Sequence, residues 1–119
     1  MQGESDALSK DNARDYARHL KNLIKDIRRE FKDDASDDGI AFVDALIADN
    51  SKFWTYYEQV NACKREVFDL SPMNALVDTI ALGLTCADEP EGEPDLAHYD
   101  ALSEIKLGHH FIIEASKFF

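Results

Sequence analysis

The residues best suited to chemistry stand at the two ends of the sequence. Towards the C-terminus, the run Pro94-Asp95-Leu96-Ala97-His98-Tyr99-Asp100 places an aspartate three positions before a histidine. A carboxylate held against one imidazole nitrogen fixes the tautomer. It also stabilises the imidazolium formed when the other nitrogen takes a proton. In that arrangement His98 is a general base for a hydroxyl nucleophile and Asp95 orients it. The same spacing also arises on ordinary surfaces, where a histidine merely lies near an acid. Towards the N-terminus, Gln2-Gly3-Glu4-Ser5-Asp6 precedes a helical stretch. Glycine lets the backbone approach a substrate closely, and glutamine offers a side-chain N–H to a developing oxyanion. A polar, frayed chain end is the other reading of those residues.

The other reactive side chains carry weaker signals. A metal site of Asp95, His98 and Asp100 would recruit at most one of His109 and His110, which are adjacent on a helix and point about 100° apart. No metal is expected on this basis. His19, beside Leu20, reads as structural. Cys63 and Cys86 are far apart and form no Cys-x-x-Cys pair, so two thiols in or near the core are expected rather than a disulfide framework.

The elements that must position these ends alternate. Residues 1–10 read as a loop entering a helix that Ser9 or Asp11 caps. From Tyr16 onward, Tyr16, Leu20, Leu23, Ile24, Ile27 and Phe31 recur in steps of three and four, which is one face of a surface helix. Residues 32–39 form an acidic, turn-forming linker ending on Gly39. Residues 40–47 (IAFVDALI) are short and nearly all apolar, as a strand buried on both faces of a parallel sheet must be. Asp49-Asn50-Ser51 then breaks the chain, and Ser51 caps a predicted helix over 52–68. Phe53, Tyr56, Tyr57, Val60, Cys63, Lys64 and Val67 fall at helical spacing there, an aromatic stripe that reads as core. Ser71-Pro72 ends that region. A second strand is predicted over 74–81 (NALVDTIA) and a long Glu/Asp/Gly/Pro loop over 83–94. A last helix runs from Asp100 or Ser103 to Phe118, its apolar positions being Leu102, Ile105, Phe111, Ile112 and Ala115. This order predicts an α/β fold with a parallel sheet covered on both faces. Ligands of such sheets sit beyond the carboxyl ends of the strands, where the segments 49–51 and 86–99 emerge. Two strands make a small sheet, so part of a larger one is expected.

Length and charge narrow the class further. The chain has 119 residues, enough for one domain. Its 13 Lys and Arg against 24 Asp and Glu give a net charge of −11. Lys21, Lys25, Arg28 and Arg29 are interleaved with Asp26 and Glu30, the pattern of a solvated helix face rather than a nucleic-acid surface. No run of about 18 apolar residues exists, so no helical membrane span is expected. No basic start followed by an apolar stretch marks a signal peptide.

The segment QGESDA, followed by the amphipathic stretch YARHLKNLIKDIRREF, resembles the third conserved block of the SGNH hydrolases. More narrowly, it resembles the sialate O-acetylesterase-like carbohydrate esterases. PDLAHYDALSEIKLGHHF resembles their last block, and DDGIAFVDALI fits the strand between them. The resemblance covers essentially the whole chain and has both blocks in order. It implies the C-terminal part of a three-layer α/β/α, flavodoxin-like sandwich with a parallel sheet. The activity implied is removal of acetyl groups from carbohydrate by a serine triad, with no cofactor. His98 would be the general base and acid, and Asp95 its orienting carboxylate. Gly3 matches the glycine of the third block. Ser5 stands where the broader superfamily has an asparagine oxyanion donor, a departure usual in the sialate-type subgroup, and Gln2 is the implied donor instead. Glu4 would buttress the loop.

The family's nucleophilic serine lies in an earlier block. None of Ser5, Ser9, Ser36, Ser51, Ser71, Ser103 and Ser116 stands in a Gly-Asp-Ser or Gly-Gln-Ser context. Met1 falls where the family chain leaves a central strand. The expectation is therefore a single partial domain, residues 1–119, that is inactive alone. Its partner would be an N-terminal half bearing the serine, or a second copy that extends the sheet. The alternative is a non-catalytic oligomerising or binding remnant of the same fold.

Overall fold

A 21-residue helix, α1 (Lys10–Glu30), organises the first third of the chain. Ser9, in extended conformation, caps it by accepting a hydrogen bond from the Asn12 N–H, so Ser9 rather than Asp11 begins the helix. The computed structural model describes residues 1–35, 39–49, 52–88 and 94–119, with the backbone alone for 87, 88 and 94–96. Ser51, the predicted cap of the next helix, lies outside the described residues.

Two parallel strands form the central sheet. β1 (Phe42–Ala45) pairs with β2 (Asn74–Val77) in the register Phe42↔Asn74 to Ala45↔Val77. Between them runs α2 (Tyr57–Phe68), shorter than the predicted 52–68. Its start is set by one tertiary bond and one local turn. The Tyr56 N–H donates to the Ala7 carbonyl at 2.9 Å, and the Tyr57 N–H to the Trp54 carbonyl at 3.1 Å. Those bonds hold the residues before Tyr57 as turns around the buried Trp54.

Strand alternation sends side chains to two covered faces. Phe42 and Leu76 pack with Tyr16, Leu20 and Ile24 of α1 and with Val60, Val67 and Phe68 of α2. Ala45 and Val77 pack with Leu107 of the last helix, α3 (Ala101–Ala115). The result is an α/β arrangement of three layers, α1 with α2, then the parallel sheet, then α3.

Both strands are shorter than the predicted 40–47 and 74–81, and two further expectations differ from the structure. The segment read as an unbroken loop contains an antiparallel hairpin, β3 (Cys86–Asp88) and β4 (Pro94–Tyr99), paired Cys86↔Tyr99 and Asp88↔Pro94 with an irregular register. Its acidic, Pro- and Gly-containing composition reads as loop, because strand pairing across it is not a local property. The second correction concerns α3. Leu102, Ile105 and Ile112, read as its apolar positions, are 79%, 70% and 68% exposed, whereas Ser103 and Leu107 are buried. Asp100 is the helix cap, accepting from the Ser103 N–H at 2.8 Å.

Candidate functional site

The N-terminal loop is held from beneath. Gly3 is buried with φ at +120°, in the region that glycine adopts without strain. A Cβ there would stand 3.0 Å from both the Tyr16 hydroxyl oxygen and Val60 Cγ1. The Tyr16 hydroxyl donates to the Gln2 carbonyl at 3.3 Å. Burial, followed by the nearby Asp44, Asp6 and Glu4 carboxylates, raises the Tyr16 phenol well above its ordinary pKa and keeps it a neutral donor. The Ala7 N–H closes the turn onto the Gly3 carbonyl at 3.0 Å. Gln2 and Ser5 are exposed on this loop and Glu4 is half-buried. The loop is thus seated on α1 and α2, not frayed.

At the other end, Asp95 and His98 both lie on β4, not in a loop. His98 is exposed, and the Asp95 side chain falls outside the described residues. The next residue, Tyr99, is half-buried, and burial raises its phenol pKa while a hydrogen bond with the Thr79 hydroxyl opposes the rise. The Thr79 hydroxyl in turn donates to the Leu46 carbonyl at 2.9 Å. This relay ties β4 to the carboxyl ends of both parallel strands. The Met1 ammonium stands 3.7 Å from Asp44 Oδ1 on β1. The N-terminal loop and the end of β4 therefore share the carboxyl edge of the sheet.

Asp100, just after β4, is held below the usual carboxylate range, first by the Thr85 hydroxyl and then by the Ser103 N–H. Ser103 also accepts from the Thr85 N–H at 2.9 Å, so the turn into α3 is pinned on both sides.

The most buried charges were not legible as a site. Lys64 of α2 is 0% exposed, with its ammonium 2.7 Å from Asp44 Oδ2 on β1 and 2.6 Å from the Ala45 carbonyl. Burial pulls its pKa down, against the upward pull of Asp44. A lone acid inside the apolar run 40–47, and a lysine on the apolar stripe of the following helix, were the signal available. Each charge needs an opposite partner once buried.

The remaining candidates are dispersed. Trp54 is buried in the core and Tyr56 and Tyr57 are half-buried against it. His19 is exposed on α1. The His109 and His110 rings stand edge to face with centroids 5.9 Å apart. Cys63 and Cys86 are both half-buried and are not joined in a disulfide. Among the described residues no three His, Cys, Asp or Glu side chains gather as metal ligands.

Residues 1–117 match the model of a carbohydrate esterase family described as sialic acid-specific acetylesterase. No curated protein and no solved structure gives a significant match. With nearly the entire chain inside the family match, and an α/β architecture around a parallel sheet, this chain belongs to the sialic acid-specific acetylesterase family of carbohydrate esterases.

Proposed function

We propose that this chain supplies the Asp95–His98 part of a serine esterase that removes acetyl groups from sugars. The observation that carries the reading is the family match over residues 1–117. The exposure of His98 on β4, beside the anchored Tyr99, agrees with it.

In this reaction His98 takes the proton of a serine hydroxyl as its oxygen attacks the acetyl carbonyl carbon. Asp95 holds the imidazole and stabilises its charge. The oxyanion of the tetrahedral intermediate accepts hydrogen bonds from the Gln2 side-chain amide and the Gly3 N–H. The C–O bond to the sugar then breaks, and His98 returns the proton to the leaving sugar oxygen. Water, deprotonated by His98, attacks the acetyl carbon, the ester bond to the serine breaks, and His98 returns the proton to the serine oxygen as acetate leaves. Glu4 buttresses the loop, and Ser5 occupies the position of the superfamily's asparagine.

No serine of this sequence stands in the family's nucleophile context. The chain is accordingly a partial domain that is inactive alone, with its serine arriving on an N-terminal segment. A second reading, a non-catalytic binding module of the same fold, draws on the exposed apolar stripe Leu102, Ile105 and Ile112 of α3.

Hydrolysis of a chromogenic acetyl ester tests these readings, with His98→Ala as control. The chain alone is expected to match its control. Addition of a segment carrying the family's serine block is expected to restore hydrolysis in the native chain and not in His98→Ala. Activity of the unaided chain that His98→Ala abolishes would place the nucleophile within these residues. Failure of the added segment to restore activity would favour the binding module.

A further inference from the structure

Parallel pairing sorts the backbone of β1 by position. The Phe42 N–H donates to the Met73 carbonyl at 2.9 Å and the Leu46 N–H to the Val77 carbonyl at 3.0 Å. Phe42 and Leu46 therefore face β2, and Val43, Ala45 and Ile47 aim their N–H and C=O groups at the opposite edge. An open edge of this kind is a template on which a strand from another molecule pairs.

Side chains occupy the four groups of Ala45 and Ile47, at the carboxyl end of that edge. Asp44 Oδ1 accepts from the Ala45 N–H at 2.8 Å, and the Lys64 ammonium donates to the Ala45 carbonyl at 2.6 Å. Asn61 Oδ1 accepts from the Ile47 N–H at 2.9 Å, and its Nδ2 donates to the Ile47 carbonyl at 2.9 Å. A carboxamide carries the same donor and acceptor as a peptide unit, so Asn61 reproduces both bonds that a neighbouring strand would make. Asn61 and Lys64 are three residues apart on α2, which puts both on one face of the helix. Both are buried, and Lys64 is neutralised by Asp44 at 2.7 Å.

We propose that α2 closes the carboxyl end of the outer edge of β1, with Asn61 and the Lys64–Asp44 pair standing in for a neighbouring strand at Ala45 and Ile47, so that a second copy of this chain does not extend the sheet there. A buried lysine would be a poor choice for filling space alone, because its desolvation is costly and an apolar side chain of similar volume packs without it. The arrangement makes sense where a carbonyl and a carboxylate need a donor. This inference is independent of the esterase reading. It bears on any partner strand alike, whether from a second copy or from an N-terminal segment. Such a strand would have to displace Asn61 and Lys64 if it paired with β1 there.

Amide hydrogen exchange on the full chain, at two protein concentrations tenfold apart, tests the proposal. Ala45 and Ile47 are expected to be protected, equally at both concentrations. Asn61→Leu is expected to speed exchange at Ile47 by about tenfold or more, the loss of one buried hydrogen bond. Leu46, bonded to β2, is the internal reference and should keep its rate. Protection that grows with concentration would mean that a second copy covers the edge. Rapid exchange in the native chain would mean that the edge is open, and an unchanged Ile47 in the variant would mean that Asn61 does not close it. Should Asn61→Leu unfold the chain, Leu46 would lose protection too, and the concentration dependence of the native chain would then decide alone.

Discussion

Gly3 is the residue at which backbone conformation and packing coincide. A side chain at φ +120° is strained, and its Cβ would crowd the Tyr16 hydroxyl and Val60 at 3.0 Å. Gly3→Ala is therefore expected to destabilise the chain by roughly 1–3 kcal/mol, read as a lower denaturant midpoint, because neither α1 nor α2 is free to retreat. At the other end, Asp100 makes stability depend on pH. Its carboxyl is held below the usual range by Thr85 and the Ser103 N–H. A depressed folded-state pKa contributes stability that is complete above the unfolded value of about 4 and is lost as pH falls through the folded value. The thermal midpoint is expected to drop as pH falls below about 4, and to drop less in Asp100→Asn, whose cap does not titrate. At this scale Gly3 and Asp100 stand out in the sequence by type and spacing, and the structure gives each a defined contact; the roles of Asp95 and His98 belong to the proposed function. The hydroxyls of Thr79, Thr85 and Tyr16 were not legible, since each acts on a residue brought near by folding.

Elements meet at the amino ends of the two parallel strands, around Arg28 and Asn74. The Arg28 guanidinium donates to the Ile40 carbonyl at 3.0 Å, the Met73 carbonyl at 3.0 Å and Asn74 Oδ1 at 2.7 Å. Asn74 Nδ2 donates to the Val67 carbonyl at 3.2 Å, one of the last carbonyls of α2. One arginine thus joins α1 to the starts of both strands and, through Asn74, to the end of α2. Arg28→Met keeps the apolar stem and leaves these acceptors without their donor. It is expected to cost about 2 kcal/mol, measured by chemical denaturation. By its charged neighbours in the sequence, Arg28 reads as part of a solvated face. Its neighbour Arg29 fits that description, being exposed and paired with Asp26 at 2.8 Å. One step around the helix separates a surface charge from a structural one, and only the position of the sheet distinguishes them. The hairpin of β3 and β4 escaped notice for a related reason. Neither strand has a long apolar run to announce it, and its pairing joins residues on either side of a turn-forming segment.

The whole molecule exposes 7631 Å², against about 6,500 Å² expected of a folded monomer of its mass. Part of that surface is the outer face of α3, where Leu102, Ile105 and Ile112 lie opposite the buried Leu107. A helix that is apolar on both faces is usually covered on both. Ile105→Lys is expected to reduce binding of a hydrophobic fluorescent dye while changing stability by less than about 0.5 kcal/mol, because the side chain has little packing to lose. Loss of stability beyond that would show that the stripe is already buried in solution. The sequence by itself determined the α/β class, the two parallel strands and part of the buried face of α1, where Tyr16, Leu20 and Ile24 are covered while Leu23 and Phe31, read as the same face, are exposed. Periodicity is a local property, and an element's apolar pattern is written along its own length. Its two end blocks also pointed to the family that the match over residues 1–117 supports. Only the tertiary structure decided which face of α3 is covered, where α2 begins, and how the outer edge of β1 is closed. Each depends on contacts between residues far apart in the chain, such as Tyr56 with Ala7 and Lys64 with Asp44. A buried lysine and a buried aspartate look like ordinary surface charges until folding removes the water from around both.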